Sequence, residues 1–247
     1  MGLKLYGTPS SPITGRVLLS LHEKELNFEY VPVDLLACEH KQPNFLAKHP
    51  FGQTPALEDG DLTLFGKLVK IILLLFLHKT VIQEILDCSI DACLPIESRA
   101  ITAYLAEKYK NTGYHLTRHQ NPKEAALVKV WTEVESQSFN PAIHPIYYQY
   151  FVAPLYGKSP DRTVMDAYLE KLEKVLDVYE AKLSETKYLA GDFYSLADLH
   201  NITYIHYLMK TPYDGVITER PHVNAWWDDI SSRPASMKVA EDLTLGD

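Results

Sequence analysis

Hydrophobic and polar positions alternate from Leu3 to Tyr6, the period of a strand, and a Gly/Pro/Ser cluster from Gly7 to Pro12 breaks the pattern. From Ile13 to Lys24 the period becomes helical, with Val17, Leu18 and Leu21 on one face. Phe28 to Val33 is again β-rich, so the opening reads strand, helix, strand, a unit that implies parallel pairing and a right-handed crossover. A polar loop, Ala37 to Gln42, and Pro50-Phe51-Gly52 then lead to a short strand around Ala56 and Leu57. Glu58-Asp59-Gly60-Asp61 supplies a hairpin turn, and Leu62 to Phe65 makes the returning strand.

Beyond this point the helical period dominates. A helix is expected from Glu97 to about Lys110, with Ile101, Tyr104, Leu105 and Tyr109 on its apolar face. Gly113 and Pro122 bracket a polar linker, followed by a helix over Lys123 to Glu135 and a Tyr-rich helical stretch from Pro145 to Tyr156. A long amphipathic helix, Thr163 to Ser184, buries Met165, Leu169, Leu172, Leu176, Tyr179 and Leu183. Ser195-Leu196-Ala197-Asp198 opens another helix as a capping box, the serine accepting a first-turn N–H while Asp198 reaches back to the cap's own N–H. An α/β domain over residues 1–112 thus precedes an all-helical domain over residues 122–247.

Composition narrows the class. With 247 residues, 46% of them hydrophobic, the chain is long enough to bury a sizeable core. A formal net charge of −8 argues against a nucleic-acid partner, which would demand clustered Lys and Arg. Cys38, Cys88 and Cys93 form neither a CxxC pair nor an even disulfide framework, so no metal is expected and the usage fits a reducing cytosol. Met1 to Tyr6 lacks the basic start and apolar core of a signal peptide, and the expected localisation is cytoplasmic.

The turn from Thr8 to Thr14 joins the first strand to the first helix, and ligands of such folds bind at the carboxyl ends of strands, where helix N-termini offer free N–H groups. Ser11 is placed there to donate a hydrogen bond to a ligand thiolate, favouring the charged form; the alternative is that Ser10 and Ser11 merely cap the helix. Thr54-Pro55 stands between a loop and an edge strand and is a candidate cis peptide that would expose the Thr54 backbone to an extended peptide ligand. His40 and Lys41 form an adjacent basic pair suited to a ligand carboxylate, or else simply a solvated surface.

Taken in series, these motifs resemble those of phi-class glutathione transferases, a plant family. The resemblance is carried by Ser11-Pro12-Ile13-Thr14-Gly15-Arg16-Val17, Glu39-His40-Lys41-Gln42-Pro43, Asn44-Phe45-Leu46-Ala47, Pro50-Phe51-Gly52-Gln53-Thr54-Pro55-Ala56-Leu57 and Glu97-Ser98-Arg99-Ala100-Ile101. Tyr188-Leu189-Ala190-Gly191-Asp192 and Ser195-Leu196-Ala197-Asp198-Leu199 continue it near the C-terminus. It implies a thioredoxin-like N-terminal domain, an all-α C-terminal domain, a homodimer, glutathione as cosubstrate and small hydrophobic electrophiles as partners, with neither nucleic acid nor membrane. It also implies roles: Ser11 as catalytic hydroxyl, His40 and Lys41 on the glycine carboxylate, Gln53 and Thr54 on the cysteinyl backbone ahead of cis-Pro55, and Glu97 and Ser98 on the γ-glutamyl end. Arg99 would brace the site or a dimer contact, and Pro12, Leu35 and part of Phe139 to Tyr156 would line the electrophile pocket. A noncatalytic ligandin-like carrier and a thioredoxin-like interaction module are the rival readings. A cysteine-based thiol transferase would want Cys where Ser11 stands.

One segment departs from the family pattern, in which Leu62-Thr63-Leu64-Phe65 leads directly into Glu97-Ser98-Arg99; here Gly66 to Ile96 intervenes. Its apolar run, Ile71 to Leu77, falls far short of the roughly twenty residues needed to cross a bilayer. Gly66-Lys67 can be encoded GGT-AAG, which contains a splice donor, and Ile96-Glu97 as ATA-GAA, which contains an acceptor; removing the sequence between them restores a Glu codon after Phe65. The segment is therefore read as a retained intron, and this product as a possible disabled splice isoform. Transcript sequencing is expected to return Phe65 joined directly to the Glu codon as the sole form; transcripts that all carry the Gly66 to Ile96 codons would sink the reading.

Overall fold

The computed structural model describes residues 2–65 and 97–245. The expected insert, Gly66 to Ile96, lies outside the described residues. Strand β1 (Leu3–Gly7) leads into helix α1 (Pro12–Glu23) and strand β2 (Phe28–Pro32), followed by a 3₁₀ turn (Glu39–Lys41) and the short helix α2 (Pro43–Leu46). Strands β3 (Ala56–Asp59) and β4 (Leu62–Leu64) complete a four-stranded sheet of order β2-β1-β3-β4. β1 pairs parallel with β2, Leu3 facing Phe28, and antiparallel with β3, Leu5 facing Leu57, while β3 and β4 form the expected hairpin. Alternate residues of β1 point to one face, so Leu3 and Leu5 bury beside Leu57 under Val17, Leu18 and Leu21 of α1.

Helix α3 (Glu97–Lys108) packs along α1 and buries Ile101 and Leu105, as its periodicity predicts, but it stops two residues short of the expected Lys110. It is tied to the sheet by Asp59, whose Oδ2 accepts from Lys108 Nζ (2.7 Å), Tyr109 Oη (2.9 Å) and Tyr104 Oη (3.0 Å). Burial works against the Asp59 charge, but these three donors outweigh it and hold the carboxyl below its ordinary value. The connection to the helical domain is less polar in its packing than in its sequence. Leu116 is buried, Tyr114 exchanges contacts with the end of α1 through Lys24 Nζ and the Glu23 carbonyl, and the Leu116 carbonyl accepts from Leu196 N.

The helical half begins with α4 (Pro122–Val134), started by an Asn121 cap and Pro122 at its first position, where a missing N–H costs nothing. A π-helical turn (Glu135–Phe139) then joins it to α5 (Asn140–Tyr147), and a second π turn (Tyr148–Val152) and a 3₁₀ turn (Ala153–Tyr156) follow. The periodicity marked this stretch as helical without showing that it widens twice. The long helix α6 (Arg162–Leu183) is capped by Asp161, and α7 (Leu196–Leu199) carries the expected capping box. Next come α8 (Ile202–Leu208), α9 (Gly215–Thr218), α10 (Pro221–Ser231) and α11 (Pro234–Ala240). Asp198 of the box also accepts from Leu189 N and Trp226 Nε1; complete burial nonetheless pushes its carboxyl up to about 6.

One hydrophobic cluster runs through both halves, from Leu5 and Leu21 to Leu176, Tyr204 and Ile230. Inside it sits a charged knot. Arg16 of α1, fully buried, donates to Glu135 Oε1 (3.0 Å), to Ser98 Oγ (3.1 Å) and twice to the His200 carbonyl. Arg99 closes on the same carboxylate with bonds of 2.6 and 3.0 Å. The π turn begins at Glu135, so the residue that receives both guanidinium groups is the one from which the helix is re-aimed. Removing one partner of a buried ion cluster strands the others away from water. Glu135→Ala is therefore expected to lower unfolding free energy by about 3–5 kcal/mol in denaturant titration; an unchanged midpoint would contradict the role given to this carboxylate.

Candidate functional site

Strand register assembles the candidate site. β1 and β2 end together, Gly7 beside Pro32, and β3 starts where Ala56 faces Tyr6. The segments that follow or precede these ends are the Thr8–Ser11 turn, the Val33–Lys41 loop and the Gln53-Thr54-Pro55 approach to β3, so all three gather at one edge of the sheet. Val33 N donates to the Gly7 carbonyl and Thr8 Oγ1 to the Val33 carbonyl, which locks the first two segments together. Thr54-Pro55 is cis, as the sequence predicts.

Ser11 is the N-cap of α1, and its Oγ accepts from Thr14 N at 3.5 Å. The capping alternative is thus realised, but accepting uses a lone pair and leaves the hydroxyl proton to donate. The capping and thiolate-donating roles coexist at one oxygen. The turn is held from the far half of the chain: Tyr207 Oη of α8 donates to the Ser10 carbonyl at 2.6 Å. Tyr147 and Phe151 each lie with ring centroids 5.0 Å from the Tyr207 ring, so part of the aromatic stretch expected to line a pocket instead buttresses this tyrosine. Phe139 departs from that expectation further, being fully buried and stacked on Tyr179. Pro12 is buried at the first position of α1, and Leu35 is half-buried.

Of His40 and Lys41, the lysine is exposed and the histidine is not. His40 is only 9% exposed, and its Nδ1 makes no hydrogen bond; burial first, and Lys41 second, hold its pKa below the ordinary histidine value. Lys41 Nζ donates to the carbonyls of Phe51 and Gly52, at 3.0 Å each. An ammonium has three donors, so one remains for a ligand. Gly52 has φ +58°, and a Cβ there would meet the His40 carbonyl at 2.4 Å, so this turn closes on the histidine only with glycine. Lys48-His49 is a second adjacent basic pair, but Lys48 is taken by Glu58 and lies over the Tyr6 ring.

Gln53 and Thr54 are half-buried at this edge. Glu97 is the first residue of α3, and Ser98 follows it, fully buried, its hydroxyl accepting from Arg16. Arg99 braces α3 against Glu135. Sequence reasoning missed Tyr207 and Glu135, because both act through contacts with residues more than a hundred positions away. Among the described residues no group of three or more His, Cys, Asp or Glu is arranged to hold a metal ion, and no helix is long and apolar enough to cross a membrane.

A sheet edge that gathers a capping serine, a buried histidine and a cis-proline strand, backed by a helical domain, defines a thioredoxin-like enzyme of the thiol-handling kind. The chain belongs to the glutathione S-transferase family: the model of that family's N-terminal domain matches residues 1–66, and that of its C-terminal domain residues 139–234. It is 50% identical to glutathione S-transferase F13 of Arabidopsis thaliana over 245 residues, 99% of this chain and 98% of the relative. The crystal structure of glutathione transferase F7 from Populus trichocarpa is 61% identical, with a TM-score of 0.84 over 98% of this chain and 100% of that one. Glutathione S-transferase I from maize, solved in complex with an atrazine glutathione conjugate, is 40% identical with a TM-score of 0.82 and full coverage of both chains. The resemblance to the plant phi class seen in the sequence is borne out.

The Tyr207 contact yields a direct expectation. Tyr207→Phe removes the oxygen that fixes the Ser10 carbonyl and keeps the packed ring, so turnover should fall about tenfold with the melting temperature nearly unchanged. Equal turnover in the variant would show that the turn holds itself.

Proposed function

We propose that this chain conjugates the thiolate of glutathione to small hydrophobic electrophiles, with Ser11 as the hydroxyl that stabilises the thiolate. The observation that carries the reading is the placement of Ser11 at the N-terminus of α1 beside the ends of β1 and β2, with its proton free to donate while its oxygen caps the helix. A free thiol of this kind has a pKa near 8.5, so at neutral pH most of it is protonated. A hydrogen bond to the charged form, in the field of a helix N-terminus, draws that value down and supplies a nucleophile before the electrophile arrives. No side chain forms a covalent bond; the protein contributes a charged nucleophile and proximity.

The remaining residues divide the tripeptide among them. The unsatisfied Nδ1 of His40 and the third donor of Lys41 suit the glycine carboxylate, since a buried ring nitrogen without a partner is costly until a ligand supplies one. Gln53 and Thr54 pair with the cysteinyl backbone ahead of cis-Pro55, and the start of α3, with Glu97 and Ser98, receives the γ-glutamyl end, where free N–H groups suit a carboxylate. The relative solved with an atrazine glutathione conjugate supports both the cosubstrate and the class of electrophile. We read the protein as a cytosolic homodimer; the exposed Leu127 and Val130, three residues apart on α4, support a face covered by a second copy.

The Gly66 to Ile96 segment is read as an insert in the family pattern between Phe65 and Glu97. Two observations support that reading: the N-terminal family match ends at residue 66, and α3, immediately beyond, is bonded to α1, the hairpin and the helical half. Conjugation of glutathione to a chloronitrobenzene by this chain, and by a version lacking residues 66–96, tests both halves of the proposal. Activity is expected in the shortened version, and Ser11→Ala there should lower kcat by about 10²–10³-fold with little change in the KM for glutathione. Glutathione binding without turnover in every version would favour the ligandin-like carrier instead.

A further inference from the structure

A second cleft of about 400 Å³ opens between the C-terminal half of α1, the β2 strand and the end of α11. It lies apart from the Ser11 edge: His22, on its wall, is eleven residues along α1 from Ser11, or roughly 16 Å of helix rise. Its lining is of two kinds. Leu18, His22, Leu26, Phe28 and Tyr30 form a largely apolar and aromatic cup, in which the His22 and Phe28 rings stand 5.5 Å apart at 56° and Asn27 adds one uncharged amide. The Tyr30 hydroxyl is directed away to the Gly7 carbonyl, 2.8 Å distant, so the ring gives the cleft its carbon face and not its polar tip.

Above the cup stand two opposite charges, Lys238 and Asp242, both exposed and both on the cleft wall. Lys238 lies in the last turn of α11 and Asp242 two residues past its end, where Asp242 N bonds to the Val239 carbonyl, and both line the same cleft. Neither makes an ion pair with any described residue, although the chain pairs many of its other surface charges. Burial holds His22 below and Tyr30 above their ordinary values; Lys238 adds to the first shift while Asp242 opposes it, and Asp242 adds to the second. An aromatic cup roofed by one unpaired ammonium and one unpaired carboxylate is complementary to a molecule with one ring and both charges on a short stem.

We propose that this cleft is a second, noncatalytic binding site for a zwitterionic aromatic amino acid, whose ring enters between His22, Phe28 and Tyr30 while its carboxylate meets Lys238 and its ammonium meets Asp242. Cation, anion and ring are each recognised by a separate group, so the site distinguishes the zwitterion from molecules bearing only one charge. The proposal does not depend on Ser11 or on conjugation.

Backbone amide shifts of the isotope-labelled full chain, titrated with L-phenylalanine, 3-phenylpropionate and phenethylamine, test it. Phenylalanine is expected to move the amides of Leu26 to Tyr30 and to bind roughly fivefold more tightly than either singly charged analogue. Saturating S-hexylglutathione, which occupies a glutathione site, should not displace it. Lys238→Gln should cost phenylalanine and 3-phenylpropionate roughly fivefold while sparing phenethylamine, and Asp242→Asn should cost phenylalanine and phenethylamine roughly fivefold while sparing 3-phenylpropionate. Both side chains are exposed, so both variants fold. Equal affinity for the three compounds, no shift in the 26–30 segment, or displacement by S-hexylglutathione would overturn the proposal.

Discussion

Two guanidinium groups, Arg16 from α1 and Arg99 from α3, share the buried carboxylate of Glu135, and the geometry of the rest of the chain follows from that pairing. Burying three charges is costly unless each is well hydrogen-bonded, and here Arg16 places four of its five donors, on the carboxylate, on Ser98 Oγ and on the His200 carbonyl, while Arg99 places two on the same carboxylate. Complete burial draws the Arg16 pKa down to about 10, still well above neutrality, so the ion remains charged. The same two cations, after burial itself, hold His200 neutral. Its Nε2 meets Thr102 Oγ1 at 2.8 Å.

This cluster connects the elements that bear the chemistry. Arg16 lies five residues after Ser11 on one helix and touches Ser98 near the start of another, so the two helix N-termini proposed to receive the thiolate and the γ-glutamyl group are fixed relative to one another by one side chain. Glu135, supplied by the helical half, holds that side chain in place, and Tyr207 fixes the Ser10 carbonyl from the same half. The helical domain is therefore part of the scaffold of the proposed glutathione site. Lys41 does comparable work across the site, spending two of its donors on the turn that precedes Gln53.

Much of this was legible in the chain because it rests on local rules. Periodicity located every strand of the sheet, the Ser195–Asp198 spacing gave a capping box, and Thr54-Pro55 gave the cis peptide. The motif series gave the family, which the relatives bear out. What stayed hidden depends on long-range contact. Arg16 reads as an ordinary helix cation until Glu135 is brought to it across the domains, and Tyr207 reads as one of many tyrosines until its oxygen is seen at Ser10. The π turns were invisible for a different reason: one extra residue in a helical turn leaves the apolar period almost unchanged over so short a span. The resemblance implied that part of Phe139 to Tyr156 lines a pocket, yet Phe139, Tyr147 and Phe151 are packed as core, since ring size alone does not say which face a ring is on.

The account stands on the claim that Ser11 lowers the pKa of the glutathione thiol. Ultraviolet titration of thiolate absorbance in the enzyme–glutathione complex reads that quantity directly, in the version lacking residues 66–96 and in its Ser11→Ala variant. The account predicts a bound thiol that ionises at least about one pH unit below its free value near 8.5, and a return toward that value in the variant. A bound thiol that titrates at its free value with Ser11 in place would contradict it.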